Sequence, residues 1–132
     1  MEREITAAYL PSDNEPYMNI RQLDYFKNRL IIQKAELIEK IAQRKEKIKN
    51  LKATHPDILD RSNFLMEIEQ ELRNCERYSE RIRQVDNALK RIDRGSFGYC
   101  QFTGNRIGLE RLEALPFANL SIEALEDTDT WQ

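Results

Sequence analysis

From about Met18 to Ala53 the apolar residues Leu23, Leu30, Leu37 and Leu51 fall on a seven-residue repeat, Ile41 and Ile48 supply the companion position, and Arg44 interrupts the first series. A heptad seam of this kind predicts a long helix that requires a helical partner. The pattern stops at Thr54-His55-Pro56. Proline removes a backbone donor and disfavours helical geometry at the residue before it, so the first helix ends there. A second series follows at Leu65, Ile68, Leu72, Cys75, Ile82 and Leu89, with Val85 and Ile92 widening the stripe and Ser79 and Asp86 breaking the alternation of three and four. It predicts a second helix folding back on the first, each with about 33 residues and roughly 50 Å long at about 1.5 Å per residue.

All four glycines, at 95, 98, 104 and 108, lie within one stretch of 14 residues, and the four prolines, at 11, 16, 56 and 116, lie outside it. Because glycine and proline punctuate chains, this divides the sequence into an irregular head, a helical middle and a turn-rich end. The expected organisation is mainly α: residues 1–17 as a segment packing near the C-terminal module, 18–94 as a long antiparallel coiled-coil hairpin with its tip at 54–62, and 95–132 as a small globular module with a short C-terminal helix. Phe97, Tyr99, Phe102, Ile107, Leu109, Leu112, Leu115, Phe117, Leu120, Ile122 and Leu125 would form the miniature core of that module. Modules this small often need a metal or a neighbour for stability.

Charge narrows the choice of partner. Charged residues make up 33% of the chain, yet 21 basic and 23 acidic side chains leave a formal charge of only -2, so no global field draws the protein to nucleic acid. The run Lys40, Arg44, Lys45, Lys47, Lys49 and Lys52 is basic, but no aromatics interleave to stack bases, and the run reads as a solvated or acid-paired helix face. A protein partner is expected, with no direct nucleic-acid contact. Two cysteines, Cys75 and Cys100, make no disulfide framework, no apolar run approaches the roughly 18 residues of a membrane span, and the opening MEREITAAYLPSD lacks the pattern of a signal peptide. A reducing cytoplasm is the expected location. His55 is the only histidine and stands at a turn, so no Ser-His-Asp or Cys-His set supports an enzyme.

The stretch FGYCQFTGNRIG, Phe97 to Gly108, places Cys100 in a turn where a zinc-binding C-x-x-C pair would begin, but Thr103 holds the closing position. Together with HPDILDR at 55–61, ELRN at 71–74, RIDRGSFGYC at 91–100 and IGLERLEALPFANLSIEA at 107–124, and with the order of the parts, this resembles the DksA/TraR family over nearly the whole chain. Its longer members are bacterial transcription factors that bind RNA polymerase directly, without touching DNA. The globular part of that family usually carries four zinc cysteines; the corresponding positions here are Cys100, Thr103, Ser121 and Ala124. With one thiolate, two neutral hydroxyls and a methyl, no zinc is expected and the finger is degenerate. The aromatics of the miniature core, packed against the base of the coiled coil, would have to substitute for the metal.

The resemblance further implies that the coiled coil enters the polymerase secondary channel, that Asp57 and Asp60 act near the active site on initiation-complex stability without catalysing anything, and that Asn74 and Arg77 dock the flank against the channel rim. Taken from the residues alone, Asp60 caps the second helix, Asp57 initiates a turn, and Arg77 belongs to a solvated face. Ser62 replaces a small alanine of the family's tip and adds a hydroxyl. Family members cooperate with guanosine tetraphosphate through basic side chains, whereas Gln84 and Leu115 stand at the matching positions here, which weakens phosphate recognition. The expectation is a monomeric regulator of transcription initiation. Two alternatives are a coiled-coil adaptor or dimerisation protein, and a polymerase factor resembling those that promote transcript cleavage.

Overall fold

In a computed structural model of the chain, which describes residues 9–54, 61–121 and 124, two long helices dominate. Helix α1 spans Ile20–Thr54 and helix α2 spans Arg61–Arg94; a third, α3, covers only Leu109–Ala114. Between residues 20 and 54 and between 61 and 94 there is no glycine or proline to interrupt the backbone bonds. The segment expected to form the hairpin tip lies largely outside the described residues.

The start of α1 is fixed by a reciprocal cap. Asn19 Oδ1 accepts from the Gln22 N–H at 3.0 Å, Gln22 Oε1 accepts from the Met18 N–H at 2.8 Å, and Gln22 Nε2 donates to Ser12 O at 3.2 Å. This is a close relative of the capping box, in which a side chain three residues into the helix reaches back to an orphan donor. Gln22 is completely buried by that role, and Met18 takes a positive φ of 56° at the entry. At its other end α2 closes in a Schellman arrangement. Gly95, at φ 81°, donates to Ile92 O at 3.3 Å and Ser96 donates to Arg91 O at 2.9 Å.

The chain divides into two compact units, one formed by residues up to Ile32 together with those from Gln84 onward, the other by Gln33–Arg83. In the second unit α1 and α2 run antiparallel, as the pairing of Arg44 with Glu71 and of Lys40 with Tyr78 requires. Leu37, Ile48 and Ile68 form its buried seam, and Leu51, Ile41, Cys75 and Ile82 are half-buried along it. The expected second-helix stripe is corrected here: Leu65 and Leu72 are 46% and 49% exposed, and buried Glu71 faces the partner helix in place of Leu72. Arg44, the polar break in the first helix, needs a counter-charge, and Glu71, on the same face of α2 as Ile68 and Cys75, supplies it.

In the first unit Phe26, Leu30, Val85, Ala88, Phe97 and Leu112 are essentially excluded from solvent, and Phe26 lies against Phe97 with ring centroids 5.6 Å apart. Ile107, Ala118 and Cys100 extend this core. Residues 97–108 form a tight turn closed by Cys100 N–H to Asn105 O at 2.7 Å and Ile107 N–H to Gly98 O at 2.8 Å. The Gln101 N–H reaches Asn119 O at 2.8 Å and ties this turn to the segment after α3. Phe102 does not join the expected miniature core: it is 69% exposed at the apex of the turn, where the chain reverses between Cys100 and Gly104 and points its side chain outward. Ile122 and Leu125 lie outside the described residues. Helix α3 is held to α1 by Glu113, which accepts from Tyr25 Oη at 2.8 Å and pairs with Arg29.

Candidate functional site

Three groups of residues carry the functional expectations. Asp57 and Asp60 lie outside the described residues; Ser62, the next of that group, is exposed in the first turn of α2. Asn74 and Arg77 are brought together one turn apart on α2, where an Arg77 guanidinium nitrogen donates to Asn74 Oδ1 and the Gln70 amide reaches the same oxygen at 3.4 Å. This bond orients Arg77 along the helix surface. It borders a groove of about 350 Å³ between the two helices, lined by Gln33, Glu36, Lys40, Tyr78 and Arg81 among others. The Lys40 ammonium stands 5.7 Å from the centre of the Tyr78 ring, within reach of a cation–π contact. Gln33 Oε1 is buried without a partner at the groove. Three cations and one carboxylate around an aromatic floor suit a partner surface with acidic groups.

Deeper in the helix pair sits a buried ionic layer that periodicity alone does not reveal. Glu71 accepts from Arg44 Nη1 at 3.3 Å and Lys47 Nζ at 3.2 Å, with its own side chain 7% exposed. Burial pushes the Glu71 pKa up, but hydrogen bonds from Lys47 and Arg44 outweigh it and hold the group below its ordinary 4.5. The available signal was Arg44 itself, since a cation in a heptad seam calls for an acid on the facing helix.

The four positions equivalent to zinc ligands do come together in the first unit. Cys100, Ser121 and Ala124 are buried, while Thr103 lies in the exposed turn. The Ser121 hydroxyl accepts from the Ala124 N–H at 3.2 Å, and the Thr103 hydroxyl accepts from the Asn105 N–H at 3.2 Å. Burial raises the Cys100 thiol, but interactions with Thr103 and Ser121 exceed it and bring the pKa from 9.0 down to about 6. This donor set does not fit a structural zinc. Two of the four positions use their hydroxyls to satisfy backbone amides, one has only a methyl, and among the described residues there is no group of three or more His, Cys, Asp or Glu able to hold a metal.

The sequence reading also missed Tyr17. Its hydroxyl donates to Gly98 O at 2.7 Å and accepts from the Gly108 N–H at 3.0 Å, and its ring stacks edge-on to Tyr99 at 5.5 Å and under Arg106 at 4.8 Å. Gly98 has φ 91°, and a Cβ there would lie 2.7 Å from the Met18 Cγ, so the backbone approaches the N-terminal segment as only glycine allows. Gln84 and Leu115, which only the family resemblance links to guanosine tetraphosphate, are both half-buried in the first unit and offer no charge.

Residues 22–92 match the family described as DnaK suppressor protein DksA, N-terminal domain. The chain is 42% identical over 118 residues to the RNA polymerase-binding transcription factor DksA of Caulobacter vibrioides, covering 89% of this chain and 83% of that protein. It is 34% identical over 115 residues to the protein of the same name from Escherichia coli K12, covering 87% and 76%. Among solved structures it is similar to transcription factor DksA2 from Pseudomonas aeruginosa, with a TM-score of 0.81, 34% identity and coverage of 98% of this chain and 97% of that one. With its two long helices and these relatives, the chain belongs to the DksA family.

Proposed function

We propose that this protein binds bacterial RNA polymerase and regulates transcription initiation, with α1 and α2 entering the secondary channel and Asp57 and Asp60 altering open-complex stability near the active site. The observation that carries this reading is the antiparallel pairing of α1 and α2 over a stretch matching the DksA N-terminal domain, in a chain whose relatives are named for polymerase binding. Arg77, oriented by Asn74 beside a cationic groove, supplies a docking contact to acidic groups at the channel rim. The action is one of binding without catalysis, by a monomer, in the cytoplasm and without direct contact to nucleic acid. In keeping with a soluble site of action, no helix among the described residues is long and apolar enough to cross a membrane. Gln84 and Leu115 offer no charge to a polyphosphate, so guanosine tetraphosphate adds little to the effect.

Open-complex lifetime on a ribosomal RNA promoter, measured with purified polymerase, tests the reading. The native chain is expected to shorten the lifetime, and an Asp57→Asn/Asp60→Asn variant to bind polymerase without doing so. Absence of polymerase binding by the native chain would sink the proposal, and a large gain on adding guanosine tetraphosphate would overturn the part assigned to Gln84 and Leu115.

A further inference from the structure

The two sides of the α1–α2 pair in the second unit are not alike. Along one side Arg44 and Lys47 reach Glu71 and Lys40 lies against the Tyr78 ring, beside the groove that Arg77 borders. At about 100° per residue, rotation about α1 from Lys40 and Arg44 across buried Leu37 and Ile48 leads to Ile38, Lys45 and Lys49. The same rotation about α2, from Tyr78 and Glu71 across buried Ile68 and half-buried Cys75, leads to Leu65, Glu69, Leu72 and Glu76. Because the helices are antiparallel, both rotations open onto one face, opposite the groove. Ile38, Leu65 and Leu72 are 52%, 46% and 49% exposed there. Single exposed apolar side chains are ordinary, but three large ones on one face of a helix pair suit an interface, and the docking contacts proposed above use the other face.

The charges on this face are sorted by helix: α1 contributes Lys45 and Lys49, and α2 contributes Glu69 and Glu76. All four are exposed, and among the described residues none of them makes an ion pair, although the two rows lie on neighbouring helices. A face with one basic and one acidic helix is complementary to itself. Turned about a twofold axis parallel to the helices, a second copy lays its α1 over α2 and its α2 over α1, and every helix is antiparallel to both neighbours, as in an up-and-down four-helix bundle. We infer that this face is a self-association surface, through which two copies of the chain pair with α1 of each lying on α2 of the other.

The pairing of Arg44 with Glu71 and of Lys40 with Tyr78 sets the register between α1 and α2, and the twofold axis carries it to the contact between copies. Lys49 of one copy then comes opposite Glu69 of the other, Lys45 falls between Glu69 and Glu76, and Ile38, Leu65 and Leu72 enter the shared layer. An axis running across the helices would instead set lysines on lysines and glutamates on glutamates, which opposes association. Residues 38–49 and 65–76 each run about 18 Å, and two helices about 10 Å in diameter give a width of about 20 Å, so the face offers roughly 400 Å² per copy. That is about half the roughly 800 Å² per partner of a stable interface, so pairing is weak and reversible. It leaves the monomer available to polymerase in the function proposed above.

Sedimentation velocity of the full chain over a range of concentrations, with no polymerase present, tests the inference independently of that function. A monomer–dimer equilibrium is expected, with a Kd of about 10–100 µM. Glu69→Lys/Glu76→Lys and Lys45→Glu/Lys49→Glu, which reverse one row each at exposed positions, are each expected to self-associate at least about tenfold more weakly. Their equimolar mixture is expected to regain the association of the native chain, because in the mixed pair every lysine again faces a glutamate. Leu72→Ser, which leaves all four charges in place, is expected to weaken pairing as well and keeps the test open should a charge reversal disturb the hairpin itself. A native chain that stays monomeric throughout would overturn the inference, as would association beyond two copies, undiminished pairing in Leu72→Ser, or folded charge-reversed variants that fail to pair when mixed. A monomeric native chain whose Leu72→Ser variant loses polymerase binding would overturn it too, and would assign this face to the polymerase.

Discussion

Tyr17 shows how one hydroxyl can tie both ends of a turn to a distant segment of the chain. As donor to Gly98 O and acceptor from the Gly108 N–H, it joins both ends of the 97–108 turn to the segment before α1. Burial, the largest influence, lifts its pKa above 10, so the phenol remains protonated and able to donate across the neutral range. Tyr17→Phe keeps the ring against Tyr99 and Arg106 but leaves the Gly98 carbonyl and the Gly108 amide without this partner. The expected cost is about 1–3 kcal/mol, read as a lower urea midpoint at unchanged slope. An unchanged midpoint would mean that water replaces the hydroxyl at no cost. Nothing in the hydrophobic pattern marks Tyr17, because its role depends on backbone groups some 80 residues away, and single-chain periodicity carries no record of such contacts.

At the scale of the helices, the heptad reading of α1 was sound, and that of α2 held at Ile68, Cys75, Ile82 and Val85 but failed at Leu65 and Leu72. Leu30, Leu37 and Ile48 are buried as the spacing requires, whereas Leu72 is exposed and Glu71 faces inward. Either choice satisfies a three-four alternation through Ile68, Cys75 and Ile82, and counting apolar residues favours Leu72. Electrostatics reverses the choice, since Arg44 and Lys47 would otherwise border the seam without an acid. The Glu71→Gln variant is expected to lose about 1 kcal/mol, below the usual cost of breaking a buried pair because Arg44 and Lys47 are 34% and 51% exposed and regain water. Glu71 has a folded pKa below 4.5, so its contribution is fully present above that value and is lost as pH falls through the lower folded value. Denaturant titrations should therefore show wild type and Glu71→Gln converging in acid and separating near neutrality. A constant gap across that range would show that the layer acts through packing and not charge.

For the molecule as a whole, the question set by Cys100 is how the turn-rich end would hold together if, as its donor set suggests, no zinc binds there. Structural zinc supplies on the order of 10 kcal/mol or more in small fingers, and a module deprived of it must recover stability elsewhere. Here the turn-rich end shares a core with both long helices through Phe26, Leu30, Val85 and Ala88, and it gains Tyr17, the Arg111 bond to Leu120 O at 3.0 Å and the Tyr25–Glu113 contact. That only one of the four positions carries a thiol was legible in the sequence; the packing around them was not, because it comes from residues before α1 and along both helices. Two measurements separate metal independence from mere weak binding. Thermal unfolding of the native chain is expected to be unchanged by a strong zinc chelator, with no more than trace zinc by elemental analysis. Thr103→Cys/Ser121→Cys/Ala124→Cys, which restores four thiols at positions the fold already gathers, is expected to bind zinc and become sensitive to the chelator. Near-stoichiometric zinc in the native chain would refute the metal-free reading. A folded triple variant that takes up no zinc would show instead that these positions have diverged in geometry as well as in chemistry, and that the fold has lost the finger's metal cage along with its ligands.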